Sequence, residues 1–339
     1  MVTRLEELLE QQIKIAAAID AEVKKNQDAA DKGDSEAQFQ LAVINYKGQG
    51  VKQNFGEAIK CFKLAAAKGH TAAEFFLGTM FAKGQGTAQN YAEALHYFQL
   101  AAAKDYSQAQ YMLGVMFDGG KGVKEDFKVA MDWYKLAAKK NNADAMYGLG
   151  SMYENHHGVE QDDMEAIHWY KLAAQHENIE AYYRLGIIYS KGKSIKKDLS
   201  EAMRWFSLGS EKGHVRAQIS IGLMYQAGDG VEQSHSEAMN YYKMAASLGN
   251  AEGQYKVGFM YQNGLGLDRD YAQALHWFLL AAEHDNAHAQ SALGFMYEHG
   301  QGVNEDEPKA LMYFKKAVKN GDETAIRNCE MLEARLEKK

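Results

Sequence analysis

The chain repeats a unit of 36 residues eight times, from Ala37 to Thr324, without insertion or deletion. A fixed period of this length indicates stacked supersecondary units, each of which contacts only its neighbours. The predicted units are 37–72, 73–108, 109–144, 145–180, 181–216, 217–252, 253–288 and 289–324. An alanine marks the twenty-second place of every unit: Ala58, Ala94, Ala130, Ala166, Ala202, Ala238, Ala274 and Ala310.

Each unit is predicted to form a helix, a glycine loop and a second helix. The first helix is expected to begin near the first place, and its sixth place is glycine in seven units, with Ala42 in the first: Gly78, Gly114, Gly150, Gly186, Gly222, Gly258 and Gly294. Glycine inside a helix costs about 1 kcal/mol relative to alanine. Seven such costs predict that a neighbouring backbone or ring comes very close to this place.

The second helix begins with a strong capping signal. Its eighteenth-place residues are all good N-caps: Asn54, Asn90, Asp126, Asp162, Asp198, Ser234, Asp270 and Asp306. A glutamate follows three residues later in five units, which predicts a capping box. This fixed position favours capping over metal binding for the acidic residues. Aromatic pairs such as Trp133-Tyr134 recur in the second helix, and their regularity favours inter-helix packing over a ligand cage.

Two segments flank the array. Residues 1–36 carry an apolar stripe at helical spacing and are predicted to form an N-terminal capping helix; the stripe is Leu5, Leu8, Leu9, Ile13, Ala16, Ile19 and Val23. Residues 325–339 begin like a ninth first helix and then become polar, so we expect a C-terminal capping helix.

The composition excludes several classes of function. The net charge is −7, which argues against binding nucleic acid or an anionic membrane through a basic face. No segment is apolar for the length of a membrane span. The two cysteines, Cys61 and Cys329, show no pairing pattern, which fits a reducing compartment. As the sequence stands, we expect a cytoplasmic protein; a periplasmic or secreted one is the alternative if a leader has been removed.

At this point the residues resemble a known family. The stretch from Ala109 to Asp126, followed by Ala130, Trp133-Tyr134 and Ala137-Ala138, is similar to the Sel-one-like repeat (SLR), a relative of the tetratricopeptide repeat with a longer glycine-containing loop. The resemblance covers all eight units. It implies an all-α, right-handed α-solenoid in which the first helices line the concave side. Such proteins are scaffolds or adaptors, and many are bacterial. Some relatives are rich in disulfides, from which this chain departs.

Signals for chemistry are weak, and we predict no catalytic residue, no metal and no cofactor. Ser190-Lys191-Gly192-Lys193 fits an S-x-x-K string but lacks the accompanying motifs. His156-His157, His168 and His176 fall within one unit, yet the place of His168 is Lys, Asp, Arg or Asn in four other units, as expected for an exposed position.

Two adjacent units break the repeat rules. The fourth has His156 in place of a loop glycine, and the fifth has Ser194 in place of another. The fifth also has Gly209-Ser210 where other units have Ala-Ala. Departures of this kind gather at functional or strained places, although drift in a tolerant loop explains them equally well.

The predicted function is a non-enzymatic interaction scaffold that binds a peptide or protein segment on its concave face, as a monomer. The third, fourth and seventh places of the first helix should point into the groove. The fourth place varies freely, as a contact position does, and the predicted binding residues are Phe76, Met112, Tyr147, Tyr183, Arg184, Ile187, Tyr255, Lys256 and Phe259. Two alternatives stay open: a small-ligand binder or hydrolase-like enzyme using the same groove, and a self-assembling structural rod.

Overall fold

The computed structural model describes residues 2–192 and 195–337, and for the first twenty residues it describes the side chains of residues 11, 14, 17 and 18 only. The described residues form eighteen α-helices and no strand, so the predicted all-α repeat fold is confirmed. Helix α1 is Val2–Asp31 and α18 is Thr324–Leu336. Between them lie eight pairs, each of an A helix and a B helix: α2 (Ser35–Lys47) and α3 (Phe55–Ala67), α4 (Thr71–Lys83) and α5 (Tyr91–Ala102), α6 (Ser107–Asp118) and α7 (Phe127–Ala138), α8 (Ala143–Asn155) and α9 (Asp163–Gln175), α10 (Ile179–Lys191) and α11 (Leu199–Glu211), α12 (Val215–Ala227) and α13 (His235–Ser247), α14 (Ala251–Asn263) and α15 (Tyr271–Glu283), α16 (Ala287–Glu298) and α17 (Glu307–Lys319).

The helices form two compact units, each made of several repeats: the first unit is Met1–Glu177 and the second unit is Asn178–Lys339. In each unit an A helix packs most closely on the B helix of its own repeat, and that B helix packs on the next A helix. Successive A helices also approach each other directly, as α6 and α8 do in the first unit and α10 and α12 in the second. The end of α1 packs on the first repeat, where Ala30 joins Ala37 and Leu41 in a small apolar cluster. Of the predicted apolar stripe on α1, Val23 is half-buried, and the other side chains lie outside the described set.

The sixth-place glycines of the A helices touch aromatic rings, as their recurrence predicted. In every case the ring belongs to the B helix of the same repeat, and a Cβ on the glycine would lie closer than 3.0 Å to it; the rings are Phe98, Tyr134, Tyr170, Phe206, Tyr242, Phe278 and Phe314. All seven rings are buried. The glycine therefore lets the A helix come close enough to hold the ring, and the lost helix propensity is offset by this packing.

Replacement of Gly150 or Gly222 by leucine should destabilise the protein by about 3 kcal/mol, because the new side chain overlaps the Tyr170 or Tyr242 ring. The control is Ala227→Leu, which places the same side chain at the exposed end of α12. The measurement is the urea-unfolding free energy. If both glycine variants were as stable as the wild type, the close-contact explanation would be wrong.

The N-caps of the B helices are confirmed at all eight predicted residues. In each, the side-chain oxygen accepts a hydrogen bond from a backbone N–H in the first turn, as Asp126 does from Val129 at 3.0 Å. The predicted capping box does not close, however. Each N-cap N–H instead donates to a carbonyl near the end of the preceding A helix, as Asn90 does to Phe81 at 2.9 Å. The glutamate three residues after the N-cap therefore does not cap the helix, but its negative charge near the helix N-terminus is still favourable.

The A helices begin two residues earlier than predicted. Their N-caps are residues that the sequence analysis did not recognise, such as Asn142, which accepts from the Ala145 N–H at 2.9 Å. Five A helices end at a left-handed glycine in the loop: Gly48, Gly84, Gly192, Gly228 and Gly264. Helices α6 and α16 end one residue before the equivalent place, with Gly119 and His299 as their C-caps.

The irregular fourth and fifth repeats have local structural explanations. His156 takes the left-handed conformation of the missing glycine (φ 61°), and its Nε2 lies 2.8 Å from Gln161 Oε1. Gly209 lies against the side chain of Tyr182, which is larger than the glutamine of most repeats at that place, and an added Cβ would lie 3.3 Å from Tyr182 Cβ. Gly209 therefore leaves room at a close contact with Tyr182 and Ala217. Lys193 and Ser194 lie outside the described residues.

Substitution of His156 by glycine should stabilise the protein by about 1 kcal/mol, since a left-handed residue with a Cβ is strained by that amount. The matched reverse change is Gly228→His, at the equivalent C-cap of α12 (φ 77°), which should destabilise to a similar degree. Thermal unfolding of both variants measures the two effects. A loss of stability in His156→Gly would show that the bond to Gln161 outweighs the backbone strain.

Candidate functional site

The third-place aromatic residues of the A helices belong mainly to the framework. Tyr147 lies 5.3 Å from the Tyr170 ring, Tyr183 lies 5.8 Å from Phe206, and Tyr255 lies 5.8 Å from Phe278, between ring centroids. Each partner is the B-helix ring that covers the glycine of the same repeat. The three tyrosines are half-buried, so only part of each ring is available to a partner.

The fourth place also has a packing role that its variability concealed. Phe76 stacks on Phe62 of the preceding B helix, with ring centroids 5.2 Å apart. A Cβ at Gly148 would lie 3.1 Å from the ring of Tyr134, again on the preceding B helix. Gly148 is thus a packing requirement. Met112, Arg184 and Lys256 occupy the same place and are half-buried.

Three of the deep rings carry a hydroxyl that hydrogen-bonds to the tenth place of the A helix. Tyr134 donates to Asp118 at 3.3 Å, Tyr170 to Glu154 at 2.7 Å, and Tyr242 to Gln226 at 2.7 Å. Burial, together with the Asp118 carboxylate, raises the pKa of Tyr134 well above its ordinary value. In these three repeats the polar group on the A helix is fixed by the ring beneath it.

The seventh place is apolar in many repeats and varies in exposure. Ile187 and Phe259 are half-buried, whereas Leu223 and Phe295 are 41% and 44% exposed. Within the second unit, therefore, the A-helix face shows apolar side chains at a regular interval. We use the term A-helix face for the third, fourth and seventh places of the A helices.

Cations lie on and beside the A-helix face of the second unit. Arg216 forms an ion pair with Glu180 at 2.8 Å and stacks on Tyr183. Lys256 lies over the ring of Tyr255, and Arg269 contacts the Tyr271 hydroxyl at 3.3 Å. Among the described residues, neither Lys256 nor Arg269 has a carboxylate within ion-pair distance.

A cavity of about 480 Å³ opens on this face between α14 and α16. Tyr255 and Phe259, two of the predicted binding residues, line it together with Arg269, Ser291, Ala292 and Phe295. The last four were missed by the sequence analysis. The sequence did contain one sign of the cavity: Ser291 stands at the third place, which is aromatic in six of the eight repeats.

A buried carboxylate lies at one end of the cavity. Asp322 accepts hydrogen bonds from the Thr324 hydroxyl at 2.5 Å and from the Thr324 backbone N–H at 2.9 Å, and His288 Nδ1 lies 3.5 Å away. Burial alone would raise the pKa of Asp322, but hydrogen bonds from Thr324 and Ser291 and the nearby His288 hold it below the usual value. Hydrogen bonds within the protein therefore hold Asp322 in its ionised form.

The histidines do not gather into a metal site. His157 Nδ1 lies 3.2 Å from Asp118, and His156 contacts Gln161. No cluster of three or more His, Cys, Asp or Glu side chains with metal-binding geometry occurs in residues 2–192 and 195–337. Ser190 of the S-x-x-K string donates to the Ile187 carbonyl at 2.9 Å, and Lys193 lies outside the described residues.

Two A helices have a histidine as N-cap. His214 is 7% exposed, and its Nδ1 accepts from the Ala217 N–H at 3.1 Å while its Nε2 lies 3.2 Å from Glu180. His70 repeats this arrangement with Ala73 and Glu36. Such a cap requires a neutral imidazole, because a protonated Nδ1 cannot accept. Burial lowers the pKa of His214, while Glu180 acts in the opposite direction.

The His214 cap should make the protein less stable in mild acid. The pKa is lower in the folded state, so protonation favours unfolding, and the stability present above about pH 6.5 is lost as the pH falls below it. His214→Asn keeps a neutral cap of the type found at Asn178 and Asn250. Urea unfolding at a series of pH values should show a weaker acid dependence in the variant. Identical pH profiles would contradict this role for His214.

The repeat pattern has an independent match. The sequence profile of the Sel1 repeat matches this chain eight times, at residues 35–70, 71–106, 107–142, 143–178, 179–214, 215–250, 251–286 and 287–322. The chain belongs to the Sel1 repeat family. The profile units begin at the observed starts of the A helices, two residues before the units read from the sequence. Sel1 repeat proteins generally mediate protein–protein interactions.

Solved structures support the same conclusion. One is a protective antigen with an SLR fold, present in uropathogenic Escherichia coli strains; it is 30% identical, with a TM-score of 0.73, over 93% of this chain and 68% of that one. Another is a Sel1 repeat protein from Oxalobacter formigenes, 28% identical with a TM-score of 0.72, over 94% of this chain and 93% of that one. No curated protein matched the sequence. Within the described part of this Sel1 repeat chain, no helix is both long and apolar enough to cross a membrane.

Proposed function

We propose that this Sel1 repeat protein is a scaffold that binds a segment of a partner protein on its A-helix face. The observation that carries the proposal lies on and beside the A-helix face of the second unit. There Lys256, on the face, and Arg269, in the loop beside it, have no acidic partner among the described residues and lie near the apolar Phe259 and Phe295. Arg269 and Phe295 are exposed, and Lys256 and Phe259 are half-buried. Accessible cations next to accessible rings suit an acidic segment with apolar side chains.

The other predicted contact residues fit this proposal in two roles. Tyr183, Ile187 and Tyr255 would offer apolar surface above their packed rings, and Arg184 would contribute positive charge. In the first unit, Phe76, Met112 and Tyr147 would form a more apolar surface of the same kind. Because Tyr147, Tyr183 and Tyr255 also hold the framework, the charged residues give the cleaner test.

The double variant Arg184→Glu with Lys256→Glu should bind at least tenfold more weakly to a peptide selected on the wild type from a random display library. The loss follows from charge reversal against an acidic segment. Circular dichroism and thermal unfolding would establish that the helices are intact. The matched control is Arg204→Glu, the same kind of charge reversal on the outer side of B helix α11, where Arg204 is exposed.

The control should bind like the wild type. Undiminished affinity in the double variant, together with a large loss in Arg204→Glu, would place the binding surface on the B helices instead.

A further inference from the structure

The eighth repeat lacks the aromatic ring that most repeats have at the third place. Six of the eight repeats have an aromatic residue at this place: Phe39, Phe75, Tyr111, Tyr147, Tyr183 and Tyr255. Each lies 5.3–5.9 Å from the buried ring of its own B helix. The sixth repeat has Ile219, which is 5% exposed and so fills its place. The eighth has Ser291, which is too small to do so.

The cavity of about 480 Å³ lies where this ring is missing. In the seventh repeat, Tyr255 contacts Phe278 on its own B helix, Phe259 one turn on, and His288 at the start of the next A helix. The equivalent neighbours of residue 291 are Phe314, Phe295 and Thr324. Phe295 and Thr324 line the cavity, and Phe295 lies edge-on to Phe314 at 6.2 Å.

The fourth place enlarges the opening. It is Ala292 in this repeat, whereas Phe76 and Met112 occupy it in the second and third repeats. The third and fourth places are therefore both small in the eighth repeat, whereas both are large in the second and third repeats. Phe295 is 44% exposed at the edge of the space. The cavity has a mixed lining, in which Tyr255, Phe259 and Phe295 supply aromatic surface among polar side chains. An exposed ring beside an unfilled space is a favourable position for a partner's ring.

We propose that the cavity beside Ser291 receives an aromatic side chain from an acidic partner segment, which completes the row of rings that the chain leaves open. The inference rests on the proposed binding function of the A-helix face. It adds the specificity element, an aromatic residue at one defined position.

The surrounding charges favour acidic neighbours for that aromatic residue. In four repeats the seventeenth place is a glutamine whose Nε2 donates to a carbonyl near the end of the A helix: Gln53, Gln89, Gln161 and Gln233. In the seventh repeat this place is Arg269, which instead contacts Tyr271 and lines the cavity. Lys256 does not line the cavity itself, but it lies over the ring of Tyr255, which does. Asp322 is the one carboxylate among the described residues that line the cavity, and it already accepts hydrogen bonds from Thr324.

The test uses two fluorescein-labelled pentapeptides with capped ends, Glu-Glu-Phe-Glu-Glu and Glu-Glu-Ala-Glu-Glu, and fluorescence polarisation with the full chain. The phenylalanine peptide should bind at least tenfold more tightly than the alanine peptide.

Ser291→Phe and Ala292→Phe each fill the cavity from within and should abolish that difference. Ala292→Phe retains Ser291 and has a precedent in Phe76, so it guards against an effect of folding. Ser200→Phe, on the exposed surface of α11, is the matched control and should keep the preference.

Three results would overturn the inference, and they differ in what they say about the proposed function. Equal binding of both peptides, weakened by Arg184→Glu with Lys256→Glu, would retain the acidic-segment site and remove the aromatic pocket. A preference for phenylalanine that survives both filling variants would place the aromatic contact elsewhere. Binding of neither peptide, with the display-selected peptide still sensitive to the charge reversal, would also leave the scaffold function without this pocket.

Discussion

The structure depends on one contact, the B-helix ring seated on the A-helix glycine. In seven repeats the glycine lets the two backbones approach until the ring fills the space between them, and the ring is buried as a result. The same ring then contacts the third-place aromatic of its own A helix. On its far side it can contact the fourth place of the next A helix, as Phe62 and Tyr134 do. One ring per repeat thus connects the interior of a repeat with the surface on which we place recognition.

This connection explains why the A-helix face mixes framework and contact residues. Tyr183 and Tyr255 must hold a buried ring, so their chemistry hardly varies. Gly148 must leave room for Tyr134. Residues outside this contact, such as Lys256 and Arg269, differ from repeat to repeat. Under our proposal, specificity comes from departures at such places; Ser291 is one such departure, and it lines the cavity.

Most of the fold could be predicted from the sequence because its rules repeat eight times. The N-caps of the B helices and the close contact at the sixth-place glycines were both correct. The A-helix starts were two residues late because histidine and tyrosine serve there beside asparagine, and no single cap residue marks the place. The capping box failed for a reason that only tertiary structure reveals, since the N-cap N–H is used by the preceding A helix. Of the residues that line the cavity, Tyr255 and Phe259 are among the predicted binding residues, whereas Arg269 and Ser291 are not, because a cavity depends on which side chain is missing.

The central claim is that the glycine–ring contact supports the fold and that the charged fourth-place residues, Arg184 and Lys256, contribute to binding. The most direct test is a saturation library at the sixth and fourth places, sorted separately for folded protein and for binding of the selected peptide. The account predicts that most substitutions at Gly150, Gly186 and Gly222 lose folding. It also predicts that most at Arg184 and Lys256 keep folding and change affinity, while Gly148 behaves like the sixth-place glycines. Loss of folding as frequent at Arg184 and Lys256 as at the glycines would contradict it.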